Sequence, residues 1–178
     1  TSANLYEWKV QNPPIIRSDP DTPRWFDPFP WVEAGDMWEW KDVVRWALPL
    51  YARGQPLPPD LETEIEKIFR LPTAAERAAA ALRLVQDQVR YLGQETGIYS
   101  HLPRPPAEVY EKRHGDCKEK VLLLATILDR LGIGSWPVLV SSSWGRGVGD
   151  LLPSPNVFDH VILEIEADGK RVFVDPTR

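Results

Sequence analysis

The chain has 178 residues, a formal net charge of −5 and a pI near 5.3. That length suffices to bury one sizeable core, and the acidic balance argues against nucleic acid or an anionic membrane surface as the main partner. No apolar run approaches the ~20 residues of a membrane span, no signal peptide opens the chain, and a lone cysteine excludes an internal disulfide.

Residues 1–36 are expected to form an extended arm, because prolines fix φ and remove amide donors throughout VQNPPIIRSDPDTPRWFDPFPWV. Five of the eight tryptophans (Trp25, Trp31, Trp38, Trp40 and Trp46) fall between residues 25 and 46. Either they pack this arm onto the domain behind it, or they form a docking surface for a domain absent from this chain. Residues 37–72 are expected to be a helical linker, with short helices over 37–52 and 60–70 separated by the breaker GQPLPP. The third unit, 73–178, is the core.

The core opens on TAAE at 73–76, a capping box in which Thr73 and Glu76 each satisfy an orphan amide. Ala78, Leu82, Val85, Val89 and Leu92 then recur at helical spacing, predicting an amphipathic helix over 74–92. A loop follows over 93–104, and PPAEVYEKR predicts a short helix with proline in its first turn. DCKE repeats the capping-box pattern, with Asp116 as N-cap and Cys117 as the first residue of a helix over 117–131. That helix is apolar on nearly all sides and is expected to be buried, with Gly132 closing it in a left-handed cap. The positive end of the helix dipole favours thiolate, so Cys117 is expected to titrate below an ordinary thiol.

FDHVILEIEADGKRVFV at 158–174 reads as two strands around the turn Asp168-Gly169. Counting outward from the turn pairs Ala167 with Lys170, Glu166 with Arg171, Glu164 with Phe173, Ile162 with Asp175, and His160 with Thr177. Alternation places Val161, Leu163, Ile165, Val172 and Val174 on the core face. His160 and Asp175 then share the other face as diagonal neighbours, with backbone positions on the order of 7 Å apart. A hydrogen bond of about 2.6–3.2 Å between them would give the base and orienter of a nucleophilic set whose nucleophile is Cys117. His114 is expected to be a surface or packing residue, and His101 lies in a loop able to rim the site.

GDCKEK leading an apolar helix, then SWPVLVSS, FDHVILEI and VFVDPT, resembles the transglutaminase-like superfamily. More narrowly, it is similar to bacterial members that carry a β-rich domain of unknown function ahead of the core. The resemblance spans about residues 73–178 and is most specific over VRYLGQETGIYSHLPRPPAEVYEKRHGDCKEK. It implies an α+β, papain-like fold in which a buried helix, carrying the cysteine at its N-terminus, packs on an antiparallel sheet carrying histidine and aspartate. It also implies a Cys–His–Asp triad, which falls on Cys117, His160 and Asp175, and an exported or cell-envelope protein. The tryptophan-rich arm then corresponds to the tail of the missing N-terminal domain, and the core is expected to be truncated at its C-terminus. Two departures stand out: His114 where relatives have an aromatic, and Glu119 in place of aspartate.

The chemistry implied is acyl transfer from an amide or peptide, without cofactor or metal. The Cys117 amide serves as one oxyanion donor, and Tyr91 or Gln94 are candidates for a second. The loop 141–156 suits a mobile rim, with Trp144 a possible substrate contact. Asp159 is expected on the opposite sheet face, Asp116 is occupied in capping, and Asp150 lies in the loop. So little acidic surface to hold a lysine amine favours hydrolysis over cross-linking. Two other classes remain open: a binding module on the same fold that presents a peptide groove without turnover, and a zinc site, since Cys, His and Asp are all ligands.

Overall fold

The computed structural model describes residues 5–178 except 14, 18, 24 and 94–96. Among the described residues, the arm up to Glu39 contains no helix or strand. α1 (Trp40–Ala47) follows and runs into a 3-10 turn over Leu48–Tyr51, so the first expected helix divides at Pro49. α2 (Pro59–Phe69) starts on proline, where a missing amide costs nothing. Its Leu61, Ile65 and Ile68 recur at helical spacing and are buried in one hydrophobic cluster with side chains of the next helix.

That helix, α3 (Ala74–Gln88), opens on the expected capping box: the Thr73 hydroxyl accepts from the Glu76 amide at 3.1 Å, and a Glu76 carboxylate oxygen accepts from the Thr73 amide at 3.1 Å. It ends four residues before the expected 92. Although Val89 and Leu92 continue the apolar period, Val89 is already extended, and β1 (Arg90–Tyr91) pairs in parallel with β2 (His114–Gly115). Between these short strands, α4 (Pro106–Lys112) carries proline at its first position.

α5 (Cys117–Arg130) is the centre of the fold. It packs against α3 and α4 and also against β3 (Gly134–Val140) and β4 (His160–Ala167), and twelve of its residues, Cys117 through Leu128, are buried. Gly132 has φ of +70°, the left-handed closure its position requires. β4 also pairs with β5 (Lys170–Val174), giving an antiparallel sheet in the order β3-β4-β5.

The hairpin register is as counted from Asp168 and Gly169, both of which have positive φ as a type I′ turn demands. The ladder stops at Leu163 opposite Val174, so the pairs Ile162–Asp175 and His160–Thr177 do not form. Pro176 has no amide to donate, and the Thr177 amide turns back to the Asp175 carboxylate at 2.9 Å. Val161, Leu163 and Ile165 are buried as expected, but Val172 is 47% exposed. α5 covers β3 and β4, whereas β5 is an edge strand beyond it.

Gly115 explains how closely the start of α5 is held. A β-carbon there would lie 2.9 Å from Val109 Cγ1, 3.1 Å from Glu119 Oε2 and 3.2 Å from Glu119 Cβ. Gly115→Ala is therefore expected to destabilise the chain by roughly 1–3 kcal/mol through overpacking, seen as a lower urea midpoint at unchanged slope. An unchanged midpoint would show that Glu119 moves aside freely.

Candidate active site

Cys117 stands at the first position of α5 because Asp116 caps it. The Asp116 carboxylate accepts from the Glu119 amide at 3.2 Å, and Glu119 Oε2 accepts from the Asp116 amide at 2.9 Å. Glu119 is buried, and its other oxygen accepts from Arg104 Nη1 at 2.6 Å. Lys118, also buried, pairs with Asp116. The motif around the cysteine is thus a buried polar lattice, although its residue types alone read as surface.

Cys117 and His160 line the same cleft of about 240 Å³, together with Trp46, Tyr51, His101 and Phe158. Asp175 lies behind the imidazole, its Oδ2 3.0 Å from His160 Nε2, inside the expected range. Hydrogen bonds from the Thr177 hydroxyl at 2.6 Å and amide at 2.9 Å hold Oδ1. Burial works against the Asp175 charge, but the Thr177 and His160 hydrogen bonds outweigh it and hold the carboxyl below its ordinary value. An ionised carboxylate only accepts, so Nε2 donates in this contact and Nδ1 is the nitrogen Asp175 does not engage.

The thiol departs from expectation. Burial, the largest cause, pushes Cys117 up, and the Asp116 charge adds to it. The Lys118 charge and the backbone N–H groups of Val161 and Lys118 pull downward without cancelling this. The helix terminus does favour thiolate, but desolvation wins. Alkylation by iodoacetamide should therefore be slow near pH 6 and still accelerating above about 8.5, the ordinary thiol value. A rate already level by pH 7 would contradict this balance.

His101 rims the cleft and packs edge-on against Trp46, with ring centroids 5.0 Å apart. His114 lies outside it, its Nδ1 2.9 Å from the Lys112 carbonyl oxygen. Tyr91 sits on β1 and does not line the cleft, and Gln94 falls outside the described residues. Trp144 turns away to pack on Trp31 at 6.1 Å. Asp159, expected on the far face, instead lines the cleft, where its carboxylate accepts from the Ser142 amide at 2.7 Å and from the Ser142 and Ser143 hydroxyls. Burial opposes its charge, but these bonds dominate and lower its pKa.

Sequence reasoning missed Tyr51, which lines the cleft from the 3-10 turn after α1. Burial, then the Cys117 and Asp116 charges, push its phenol well above the ordinary value, so it remains a hydroxyl donor. The apolar spacing of α1 gave no signal that the turn reaches the cysteine. Thr177 was also missed as an anchor, though Asp-Pro-Thr is itself a turn signal. Among the described residues no three His, Cys, Asp or Glu side chains form a group able to hold a metal, and no helix is long and apolar enough to cross a membrane.

The architecture, a buried helix bearing cysteine at its N-terminus against an antiparallel sheet whose β4 begins on His160 and whose β5 is followed by Asp175, is an α+β fold that the chain shares with solved structures. A candidate cysteine protease from Cytophaga hutchinsonii aligns over 74% of this chain and 42% of its own, at 17% identity and a TM-score of 0.51. A candidate protease from Parabacteroides distasonis aligns over 65% of this chain and 25% of its own, at 14% identity and a TM-score of 0.52. This chain therefore spans well under half the length of either. A structure described as a TGase aligns less closely, at a TM-score of 0.47, with 13% identity over 78% of this chain and 37% of its own. No family model matches the chain, and no curated protein matches it significantly.

Proposed function

We propose that the chain performs cysteine-dependent hydrolysis of a peptide or protein amide, with Cys117 as nucleophile, His160 as acid–base and Asp175 as orienter. The observation that carries this reading is the 3.0 Å contact between His160 and an ionised Asp175, behind an imidazole that shares a cleft with Cys117. Burial favours the thiol over the thiolate, so the reaction starts from the thiol. His160 Nδ1 takes the proton as Sγ attacks the carbonyl carbon, then delivers it to the leaving amine as the C–N bond breaks. Water attacks the resulting thioester, losing a proton to the same nitrogen, and the thiol is restored as the carboxylic acid departs. The Cys117 amide and the Tyr51 hydroxyl are the donors proposed for the oxyanion.

Hydrolysis is favoured over amine transfer because the carboxylates at the cleft are engaged. Asp159 is held by two serines, and Asp116 by Lys118 and the Glu119 amide. Among the described residues, the one carboxylate lining the cleft that an incoming lysine could meet is Asp159, and its oxygens are already occupied by serine donors, which weakens its hold on an amine against concentrated water. Incubation with a glutamine-containing peptide and a labelled primary amine tests the choice. Ammonia or peptide fragments should appear with little label incorporated, and Cys117-dependent incorporation exceeding hydrolysis would reverse it. Absence of any turnover of peptide or glutamine substrates would favour the peptide-binding module instead.

A further inference from the structure

A second cavity of about 670 Å³ opens beside the cleft, between α1 and its 3-10 turn on one side and β3 on the other. Its walls are almost wholly apolar: Trp40, Val44 and Leu48 from α1 and the turn, Trp136 and Val138 from β3, and Val148 from the 141–156 loop. Ala47, Tyr51, Leu139 and Phe158 line both this cavity and the cleft of Cys117, so the two adjoin. Trp40 meets Phe158 edge-on at 5.8 Å and fixes the shared wall.

The one charged residue at the cavity is Arg53, and its guanidinium is already engaged. Nη1 donates to Asp129 Oδ1 at 2.6 Å and Nη2 to the Ser135 carbonyl at 2.5 Å. A charged side chain entering here would lose water against walls that are mostly apolar, whereas an apolar one gains by leaving water. We infer that this cavity is a specificity subsite that receives a large aromatic or branched aliphatic side chain of the peptide, from a residue flanking the amide attacked at Cys117. The inference rests on the acyl-chemistry reading of that cleft. Trp40, Val44, Leu48, Val138 and Val148 come from α1 and its turn, β3 and the loop rather than from the elements that carry Cys117, His160 and Asp175, so selection and chemistry are separable by mutation.

The probes are peptidyl chloromethyl ketones that differ only in one side chain beside the reactive ketone: alanine, leucine, phenylalanine, lysine or glutamate. Second-order labelling of Cys117, read by intact mass, should be about 10- to 100-fold faster with phenylalanine or leucine than with alanine, and slowest with lysine and glutamate. Val138→Trp, which fills the cavity, should erase that preference while leaving the alanine rate near wild type. Val148→Asp at the loop wall is the second variant, should the tryptophan disturb β3, and it should lower the phenylalanine rate selectively. Equal rates for alanine and phenylalanine in the wild-type chain would overturn the subsite, as would an undiminished preference in both variants. These outcomes are read from labelling alone, so a chain that shows the preference yet cleaves no peptide would defeat the hydrolytic reading and leave the subsite standing.

Discussion

Cys117→Ala is expected to reduce amide hydrolysis by roughly 10^4- to 10^6-fold, with the denaturant midpoint close to wild type. The side chain is small and sits at the start of α5, and the capping lattice around it is built by Asp116, Lys118 and Glu119 rather than by the sulfur. His160→Ala should cost about as much, because it removes the Asp175-oriented base proposed to take the proton from a thiol that burial disfavours as thiolate. Asp175→Asn should cost on the order of 10^4-fold, since an amide NH₂ in place of Oδ2 no longer fixes the proton on Nε2. Tyr51→Phe, which removes only one donor, should cost about 10^2-fold in kcat with little change in KM. The losses should not add: Cys117→Ala/His160→Ala ought to be no slower than the worse single variant. A Cys117→Ala protein that keeps a tenth of the activity would end the nucleophile assignment.

The largest effect on stability should come from Arg104→Ala. Glu119 is 1% exposed, and its Oε1 is matched by the Arg104 guanidinium at 2.6 Å. Removing the cation strands a buried carboxylate, which costs roughly 3–5 kcal/mol. For a chain of this size that would lower Tm by about 6–20 °C, taking some 2–4 °C per kcal/mol. Arg104→Met combined with Glu119→Gln should recover much of the loss, because a neutral amide still accepts from the Asp116 backbone and no charge is left unpaired. Equal midpoints for wild type and Arg104→Ala would mean that water reaches the carboxylate and the pair is a surface one.

The parts of the fold that follow local rules were readable directly. Both capping boxes, the buried helix behind Cys117 and the Asp168-Gly169 turn each depend on residues within four positions of one another, and each formed as the residue types require. His160 and Asp175 were legible for a related reason, since a two-residue turn sets strand register by counting. What escaped was long-range. Nothing near Val89 signals that β2 will draw the end of α3 into a strand, and nothing in α1 announces Tyr51 at the cysteine. The thiol's balance was misjudged for the same reason: the dipole is a property of α5 itself, whereas the desolvation that outweighs it is imposed by everything packed around it. Asp159 was misplaced by extending strand alternation one residue beyond β4, to a position where the chain has already bent towards Ser142.

The burial of one face of α2 in the core, and the reach of Tyr51 from the turn after α1 into the cleft, bear on where this protein can be cut. A fragment beginning at Thr73 would retain Cys117, His160 and Asp175, which are the residues a motif comparison would circumscribe. It would also expose the apolar surface of α3 against which α2 packs, and open the cleft on the side where Trp46 and Tyr51 stand. The span that carries the three candidate residues and the span that packs as one core are therefore different lengths, and a shortened version meant to keep the core and the cleft walls should start no later than α1.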